Sequence, residues 1–279
     1  MKILSVYIKN FQGLSELEVD TDAKIIVVKG SNGAGKTSFI SAIEWCLCSV
    51  PRIRTTLNAK ETTVRLKIEK DNQIYELETT KFCENDKTFM HFFITKNNIK
   101  TEVKFNDYSN FIEETFIKNP YFYMNFIDSL YYGTKKGIGL TLSHENIKQI
   151  NNFAQRLGFP IPGRRLVFSG NLDCDIYINS HKLSGGYYSS GDNVLRMTTA
   201  KIIAVKFIEE LLQNSTAQKN VLPLFIDDVF LMVSNEYVFY VCEYLQKLGN
   251  QIFVTNNNSQ LSFTNKSVKY LDLDNLNKS

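Results

Sequence analysis

The amino-acid sequence predicts an α/β fold that carries a phosphate-binding loop. Residues 30–37 follow the pattern G-x-x-x-x-G-K-T, with a β-branched segment before them and a helical pattern after them. Short alternating segments separated by polar turns, within residues 62–105, predict an antiparallel β meander. Residues 222–228 form an apolar run that ends in two acids. Together these observations predict a P-loop nucleotide-binding fold with a mixed central sheet and a meander beside it.

Composition narrows the class of protein. The 279 residues are 43% hydrophobic and carry a formal net charge of +3, so the chain can bury a full core and its charges nearly balance. It has no stretch near the ~20 apolar residues that a membrane span needs, and its first residues lack a signal-peptide pattern. An odd number of scattered cysteines predicts buried, reduced thiols and neither a disulfide framework nor a zinc site. We therefore expect a cytoplasmic protein without a membrane partner.

The glycine loop lies in the context that nucleotide binding requires. Residues 24–29 predict a buried strand, and the helix that follows carries Phe39, Ile40, Ile43 and Leu47 on one face. Strand, glycine loop and helix point backbone N–H groups at an anion, and glycine removes the Cβ that would block its approach. We expect Lys36 to reach the β- and γ-phosphates and Thr37 to ligate Mg²⁺. The predicted contacts are Gly30, Ser31, Asn32, Gly33, Ala34, Gly35, Lys36, Thr37 and Ser38.

The acidic end of the late apolar run completes the predicted site. A buried strand over residues 222–226 would deliver Asp227 to the loop edge of the sheet, where it would hold Mg²⁺ directly or through water. Asp228 would then lie near the γ-phosphate and polarise the attacking water. Asp228 and Lys36 are the predicted catalytic residues, with ATP and Mg²⁺ as cofactors.

A serine- and glycine-rich loop at residues 182–192 precedes a long predicted helix, from Asn193 to about Leu212. Such a helix start forms a second anion site. With Lys9-Asn10-Phe11 near the N-terminus, the N-G-A-G-K-T loop and the late double acid, this chain resembles the ATP-binding-cassette ATPase heads of the RecF/SMC branch. These motifs occur in the order typical of that family and span nearly the whole chain.

The resemblance implies a mechanism and further site residues. In that family two heads dimerise head-to-tail around two ATP molecules, and the signature loop of one head caps the nucleotide of the other. Gln12 stands where the family often has a basic residue near the phosphates. The switch position of the family falls on Asn256 or Asn257. Asp228 replaces the usual glutamate by a shorter acid, which predicts slow hydrolysis.

The signature loop has two competing registers. Residues 183–186 spell L-S-G-G, but two tyrosines follow them and no helix is predicted to begin there. Residues 188–192 match less literally, yet they place an acid at the helix start, and this register is favoured. It assigns the signature role to Ser189, Ser190, Gly191 and Asp192.

The resemblance also predicts the domain organisation. The chain would be a single head, with lobe I formed by residues 1–106 and 186–279. Lobe II would be a small helical insertion at residues 107–185, with the signature loop at its end. Prolines and the absence of heptads exclude a long coiled-coil arm in this insertion.

Two functions agree with these features. The first is an ATP-controlled, dimerising DNA-binding protein in DNA repair, replication or defence against mobile DNA, an analogy drawn from the family. Its candidate DNA contacts are Arg52, Arg54, Lys135, Lys136, Arg164 and Arg165. The alternative is an ATPase switch module that binds and regulates a separate effector protein, such as a nuclease or toxin. A P-loop kinase is disfavoured because the signature loop would then have no role.

Overall fold

The structure is a computed structural model. It describes residues 1–48, 59–84, 87–116, 144–169, 174–183, 189–215, 223–227, 230, 233–256, 263 and 267–276. The strands are β1 (Lys2–Phe11), β2 (Leu14–Asp20), β3 (Ile25–Lys29), β4 (Glu61–Lys70), β5 (Gln73–Glu84), β6 (Lys87–Lys96), β7 (Ile99–Val103), β8 (Arg164–Phe168), β9 (Cys174–Ile178), β10 (His181–Lys182), β11 (Leu224–Ile226), β12 (Ile252–Asn256) and β13 (Val268–Asp272). The helices are α1 (Lys36–Cys48), α2 (Phe105–Thr115), α3 (His144–Leu157), α4 (Ser190–Ser215), α5 (Asn235–Lys247) and α6 (Leu273–Leu276).

Six strands form the predicted antiparallel meander, in the order β2-β1-β4-β5-β6-β7. Its tight turns at residues 71–72 and 97–98 consist of Asp and Asn in the left-handed region, with φ between 51° and 63°. These residue types tolerate positive φ, and two such residues in succession match the twist of a hairpin. The apolar side of the sheet packs on α1 and α2, and the opposite side carries charged residues such as Arg65 and Glu78.

Four strands form a second, wholly parallel sheet in the order β11-β12-β3-β13. Strand β12 is buried along its whole length, as a parallel strand covered on both faces should be. The register places Asn256 of β12 and Asp272 of β13 opposite Lys29 of β3. The α/β class is therefore confirmed, with the parallel and antiparallel strands of the described residues in separate sheets.

Helix α1 lies between the two sheets and contacts β1, β4 and β5 on one side and β12 on the other. All four residues of its predicted apolar face are at most 5% exposed. The side-chain amide of Gln251, at the start of β12, also joins the sheets. Its Oε1 accepts a hydrogen bond from the backbone N–H of Ile3 at 2.7 Å, and its Nε2 donates to the carbonyls of Ile3, Thr21 and Ala23. This amide fixes the meander relative to the parallel sheet.

The predicted second lobe contains β-structure as well as helix. Strands β8, β9 and β10 form a three-stranded antiparallel sheet against which α3 and α4 pack. The predicted lobe boundary at residue 106/107 falls inside α2. The buried Tyr108 of that helix packs on Phe92 and donates a hydrogen bond to the carbonyl of Cys46, so α2 packs with the first lobe. The division into lobes stays a prediction.

The cysteine prediction needs one correction. Cys46, Cys174 and Cys242 are buried thiols, but Cys83 near the end of β5 is exposed. Its strand extends beyond the covered part of the meander, so its side chain reaches solvent. The side chain of Cys48 lies outside the described residues.

Candidate functional site

The carboxyl ends of the four parallel strands meet at one edge of the sheet, where ligands bind in open α/β folds. The glycine loop leaves β3 at this edge and enters α1 at Lys36. Gly30, Gly33 and Gly35 all have φ between 85° and 154°. A Cβ on Gly30 would lie 2.7 Å from the Cβ of Ala34, and one on Gly35 would lie 2.5 Å from Leu14. The loop conformation therefore depends on these glycines, as the sequence predicted.

Lys36 is 7% exposed and lies along the inside of the loop. Its ammonium group donates hydrogen bonds to the carbonyl oxygens of Gly30 at 2.9 Å and Ser31 at 2.8 Å. These two hydrogen bonds hold the positive charge of the Lys36 ammonium group at the glycine loop. Residues 31–33 and Thr37 are exposed at the same surface.

Gln12 approaches the helix start from the β1–β2 turn, where its φ is +46°. The hydroxyl of Ser38 donates a hydrogen bond to the carbonyl of Gln12 at 3.1 Å. The two predicted contacts therefore lie together, joined through the backbone of the turn.

Asp227 lies directly beside the glycine loop although 190 residues separate it from Thr37. The hydroxyl of Thr37 donates to Asp227 Oδ2 at 2.8 Å, and the hydroxyl of Thr255 donates to Asp227 Oδ1 at 2.6 Å. Thr255 is fully buried on β12, so it holds the carboxylate from the core side. A hydroxyl and a carboxylate at this distance are the hard oxygen donors that Mg²⁺ prefers.

Two of the remaining predicted site residues lie outside the described residues, namely Asp228 and Asn257. Asn256, the other switch candidate, ends β12 and is 2% exposed. Its register opposite Lys29 places it at the loop edge of the sheet. The position fits the prediction, and its role stays a prediction.

The signature residues form the start of α4, which begins at Ser190 and not at Asn193 as predicted. The hydroxyl of Ser189 accepts a hydrogen bond from the backbone N–H of Asp192 at 3.1 Å and donates one to Asp192 Oδ2 at 2.9 Å. The Ser189 hydroxyl thus caps the helix, and the carboxylate of Asp192, three residues later, accepts a hydrogen bond from the same hydroxyl. This geometry fits the favoured register, whose alternative at residues 183–186 falls almost wholly outside the described residues.

Arg164 of β8 contacts this helix start. Its guanidinium donates to Asp192 Oδ1 and lies 5.6 Å from the ring centroid of Tyr237, and both charged side chains are less than a fifth exposed. Partial burial alone raises the pKa of Asp192, but the hydrogen bonds from Ser189 and Arg164 outweigh it and the net pKa shift is downward. The carboxylate therefore stays ionised and keeps the loop in place.

This contact involves one of the predicted DNA residues, whose role in DNA binding stays a prediction. Arg164 is paired inside the chain, so its charge is committed to Asp192. Arg165 is exposed and stacks 5.3 Å from Tyr177. The other candidates, Arg52, Arg54, Lys135 and Lys136, lie outside the described residues.

Sequence reasoning missed two residues at the site. Thr255 precedes the predicted switch position, and a hydroxyl residue near the end of a buried strand was an available signal. The carboxylate of Asp274 accepts hydrogen bonds from the backbone N–H of Ser31 at 2.7 Å and from the Ser31 hydroxyl at 2.8 Å. Because 243 residues separate this pair, no local pattern could have indicated it.

The residues fit ATP with Mg²⁺ on two structural grounds. The glycines give the loop its positive-φ conformation with the Lys36 ammonium bonded to its carbonyls, and Thr37 and Asp227 bring oxygen donors to its rim. Elsewhere, no group of three or more His, Cys, Asp or Glu side chains within the described ranges could hold a metal ion. Of the helices that the structure describes, none is long and apolar enough to cross a membrane.

Comparison with known proteins agrees with this geometry. Residues 5–222 match the model of a protein family described as AAA domain. The SMC head domain from Thermotoga maritima superposes with a TM-score of 0.58 at 14% identity, covering 92% of this chain and 90% of that one. An SMC head bound to the C-winged helix domain of ScpA gives a TM-score of 0.66 at 14% identity, covering 94% and 91%. The recombination mediator protein RecF with ATP gives 0.53 at 16% identity, covering 92% of each chain. Among curated proteins, none matches the sequence significantly.

Proposed function

Because the chain belongs to the AAA domain family and has the fold of the SMC and RecF heads, we propose that it binds ATP with Mg²⁺ and hydrolyses it. One observation carries the proposal most directly. The Thr37 hydroxyl and the Asp227 carboxylate meet at 2.8 Å at the mouth of a glycine loop that already holds its lysine. Loop, lysine, hydroxyl and acid are the parts that bind a nucleoside triphosphate in P-loop proteins.

Each residue has a distinct task in this proposal. Lys36 and the loop amides neutralise phosphate charge, while Thr37 and Asp227 hold Mg²⁺. Asp228 accepts a proton from the attacking water through its carboxylate. ATP supplies the phosphoanhydride bond, and Mg²⁺ withdraws charge from the phosphate oxygens when bound. Because the acid at residue 228 is one methylene shorter than glutamate, we expect slow turnover.

We further propose that ATP joins two heads, with Ser189 and Gly191 of each reaching the nucleotide of the other. Ser189 is exposed at the start of the 26-residue helix α4. Among the described residues its hydroxyl bonds within the helix start, to Asp192. An exposed helix N-terminus supports a role across an interface.

DNA is the first candidate partner, by analogy with the RecF and SMC heads of the same fold. A dimer that closes on ATP would bring exposed cations such as Arg165 together from two copies. Binding through phosphate contacts should weaken steeply as salt is raised, because counterions are released.

A protein partner is the second candidate. The SMC head that was solved with a domain of ScpA has this fold and binds another protein. In this version the chain is a switch that holds an effector in one nucleotide state. Its complexes should persist at salt concentrations that dissociate DNA.

The solution mass with and without ATP–Mg²⁺ tests the proposal, with wild type compared to Asp228→Asn and Ser189→Arg. We expect ATP-dependent dimers that persist in Asp228→Asn, which retains ATP, and disappear in Ser189→Arg. Arg165→Gln is a control that leaves the dimer intact. A monomer in every condition despite bound ATP would refute the dimer, and a failure to bind ATP would refute the function itself.

A further inference from the structure

The short C-terminal helix α6 contacts the first residue of the loop after Gly30. Asp274 Oδ2 accepts the backbone N–H of Ser31 at 2.7 Å, and Oδ1 accepts its hydroxyl at 2.8 Å. Both carboxylate oxygens of Asp274 therefore accept hydrogen bonds from Ser31.

The same peptide unit is held from its other end by Lys36. The N–H of Ser31 and the carbonyl of Gly30 belong to one planar amide group. That carbonyl accepts a hydrogen bond from Lys36 Nζ at 2.9 Å, and the next carbonyl, of Ser31, accepts a second at 2.8 Å. Because the peptide is rigid, the partner of its N–H decides where its C=O points. The Asp274 carboxylate thus orients the oxygen that holds the lysine.

The fold brings Asp274 to this place through strand pairing. Strand β13 pairs with β3 in parallel, with Asp272 opposite Lys29, so α6 begins where the glycine loop begins. Leu273 is fully buried and anchors the turn. A Cβ on Gly30 would lie 3.5 Å from the Cβ of Leu273 and 3.8 Å from Asp274 Cγ, which places this helix in van der Waals range of the loop. The Asp272 carboxylate accepts the N–H of Asp274 and fixes the start of α6.

We propose that Asp274 is a positioning residue for nucleotide binding, which sets the Gly30–Ser31 peptide and through it the place of the Lys36 ammonium. The inference rests on the proposed binding of ATP at this loop. Asp274 acts through Ser31 and does not itself touch the nucleotide. Its role makes the C-terminal strand and helix a working part of the site.

Three variants test this role by calorimetric titration with ATP–Mg²⁺. Asp274→Ala removes both contacts, and we expect about tenfold weaker binding, the size expected for a lost hydrogen bond to a charged group. Asp274→Asn should bind close to the wild type, because its amide oxygen accepts the N–H while its NH₂ donates to the Ser31 hydroxyl. Asp20→Asn is the matched control, since Asp20 pairs with Lys269 of β13, the strand that leads into α6, away from the loop. It removes an equal charge and loosens the same strand, and it should bind like the wild type.

A second readout needs no nucleotide. Hydrogen exchange of a peptide spanning residues 29–37 should accelerate in Asp274→Ala and stay unchanged in Asp274→Asn and Asp20→Asn. If the wild type bound no ATP, the proposed function would fail while this exchange pattern still decided the role of Asp274. Unchanged binding and exchange in Asp274→Ala would overturn the inference. Tighter binding in both Asp274 variants would overturn it too, because the carboxylate would then oppose the phosphates.

Discussion

Thr255→Val is the sharpest test of how the carboxylate of Asp227, the proposed Mg²⁺ ligand, is held. Thr255 is fully buried, and its hydroxyl donates to Asp227 Oδ1 at 2.6 Å, the shorter of the two hydrogen bonds from threonine hydroxyls to that group. Valine has nearly the same shape, so the substitution removes the donor without opening a cavity. A hydrogen bond to a charged group contributes about 1.5–3 kcal/mol, and we expect the free energy of unfolding to fall by that amount. The midpoint of thermal unfolding should fall by roughly 2–4 °C per kcal/mol.

The same variant should change metal-dependent binding specifically. With one of these two donors gone, Asp227 keeps its contact with Thr37 but loses the hydrogen bond from β12, so its carboxylate can rotate away from the loop. We expect ATP affinity to fall about tenfold with Mg²⁺ and to remain unchanged with EDTA, as measured by calorimetric titration.

Thr80→Val is the matched control. Thr80 is also buried, but its hydroxyl meets that of Thr63 at 3.2 Å in the meander. Losing this neutral contact should cost about 0.5–1.5 kcal/mol and leave ATP binding unaltered. The reasoning is refuted if Thr255→Val loses no more stability than the control and binds ATP–Mg²⁺ normally.

Three further predictions concern the scaffold. Gln251→Leu keeps the side-chain volume but removes the hydrogen bonds of the amide to buried backbone groups. The free energy of unfolding in urea should therefore fall by about 2–4 kcal/mol, and a fall below about 0.5 kcal/mol would contradict this. Arg164→Gln removes the cation that pairs with the largely buried Asp192 carboxylate, so the free energy of unfolding measured by thermal denaturation should fall by about 1–3 kcal/mol. Arg165→Gln should change it by less than about 0.5 kcal/mol. Equal effects of the two substitutions would exclude the ion pair as the cause. Iodoacetamide at pH 8 should modify Cys83, which is exposed, and spare Cys46, because burial raises the pKa of the Cys46 thiol to about 12. Mass mapping of the modified peptides checks this, and labelled Cys46 in the folded protein would refute it.

The comparison between sequence and structure separates local from distant information. Strand β3, the glycine loop and α1 were predictable because each depends on neighbouring residues. A β-branched run, glycines with positive φ and an apolar face repeating every 3.6 residues all lie within residues 24–47. The meander was predictable for the same reason, since alternation and asparagine turns are short-range signals.

Boundaries and partners were less accessible. Helix α4 begins three residues before its predicted start because Ser189 and Asp192 cap it, and a side-chain cap can move a helix end without altering the apolar pattern. From the sequence, Arg164 is indistinguishable from an arginine at the protein surface. The packing of β8 beside α4 is what pairs it with Asp192.

Short sequence patterns were enough to predict the fold class, the glycine loop and the grouping of Lys36, Thr37 and Asp227. The tertiary structure alone decided which side chains hold them: Thr255 on the aspartate and Asp274 on the loop. The physical reason is strand register. Short patterns specify that a segment is a strand or a loop. Which distant residues face each other depends on the register in which the strands pair, and that register is set by the packing of the whole core.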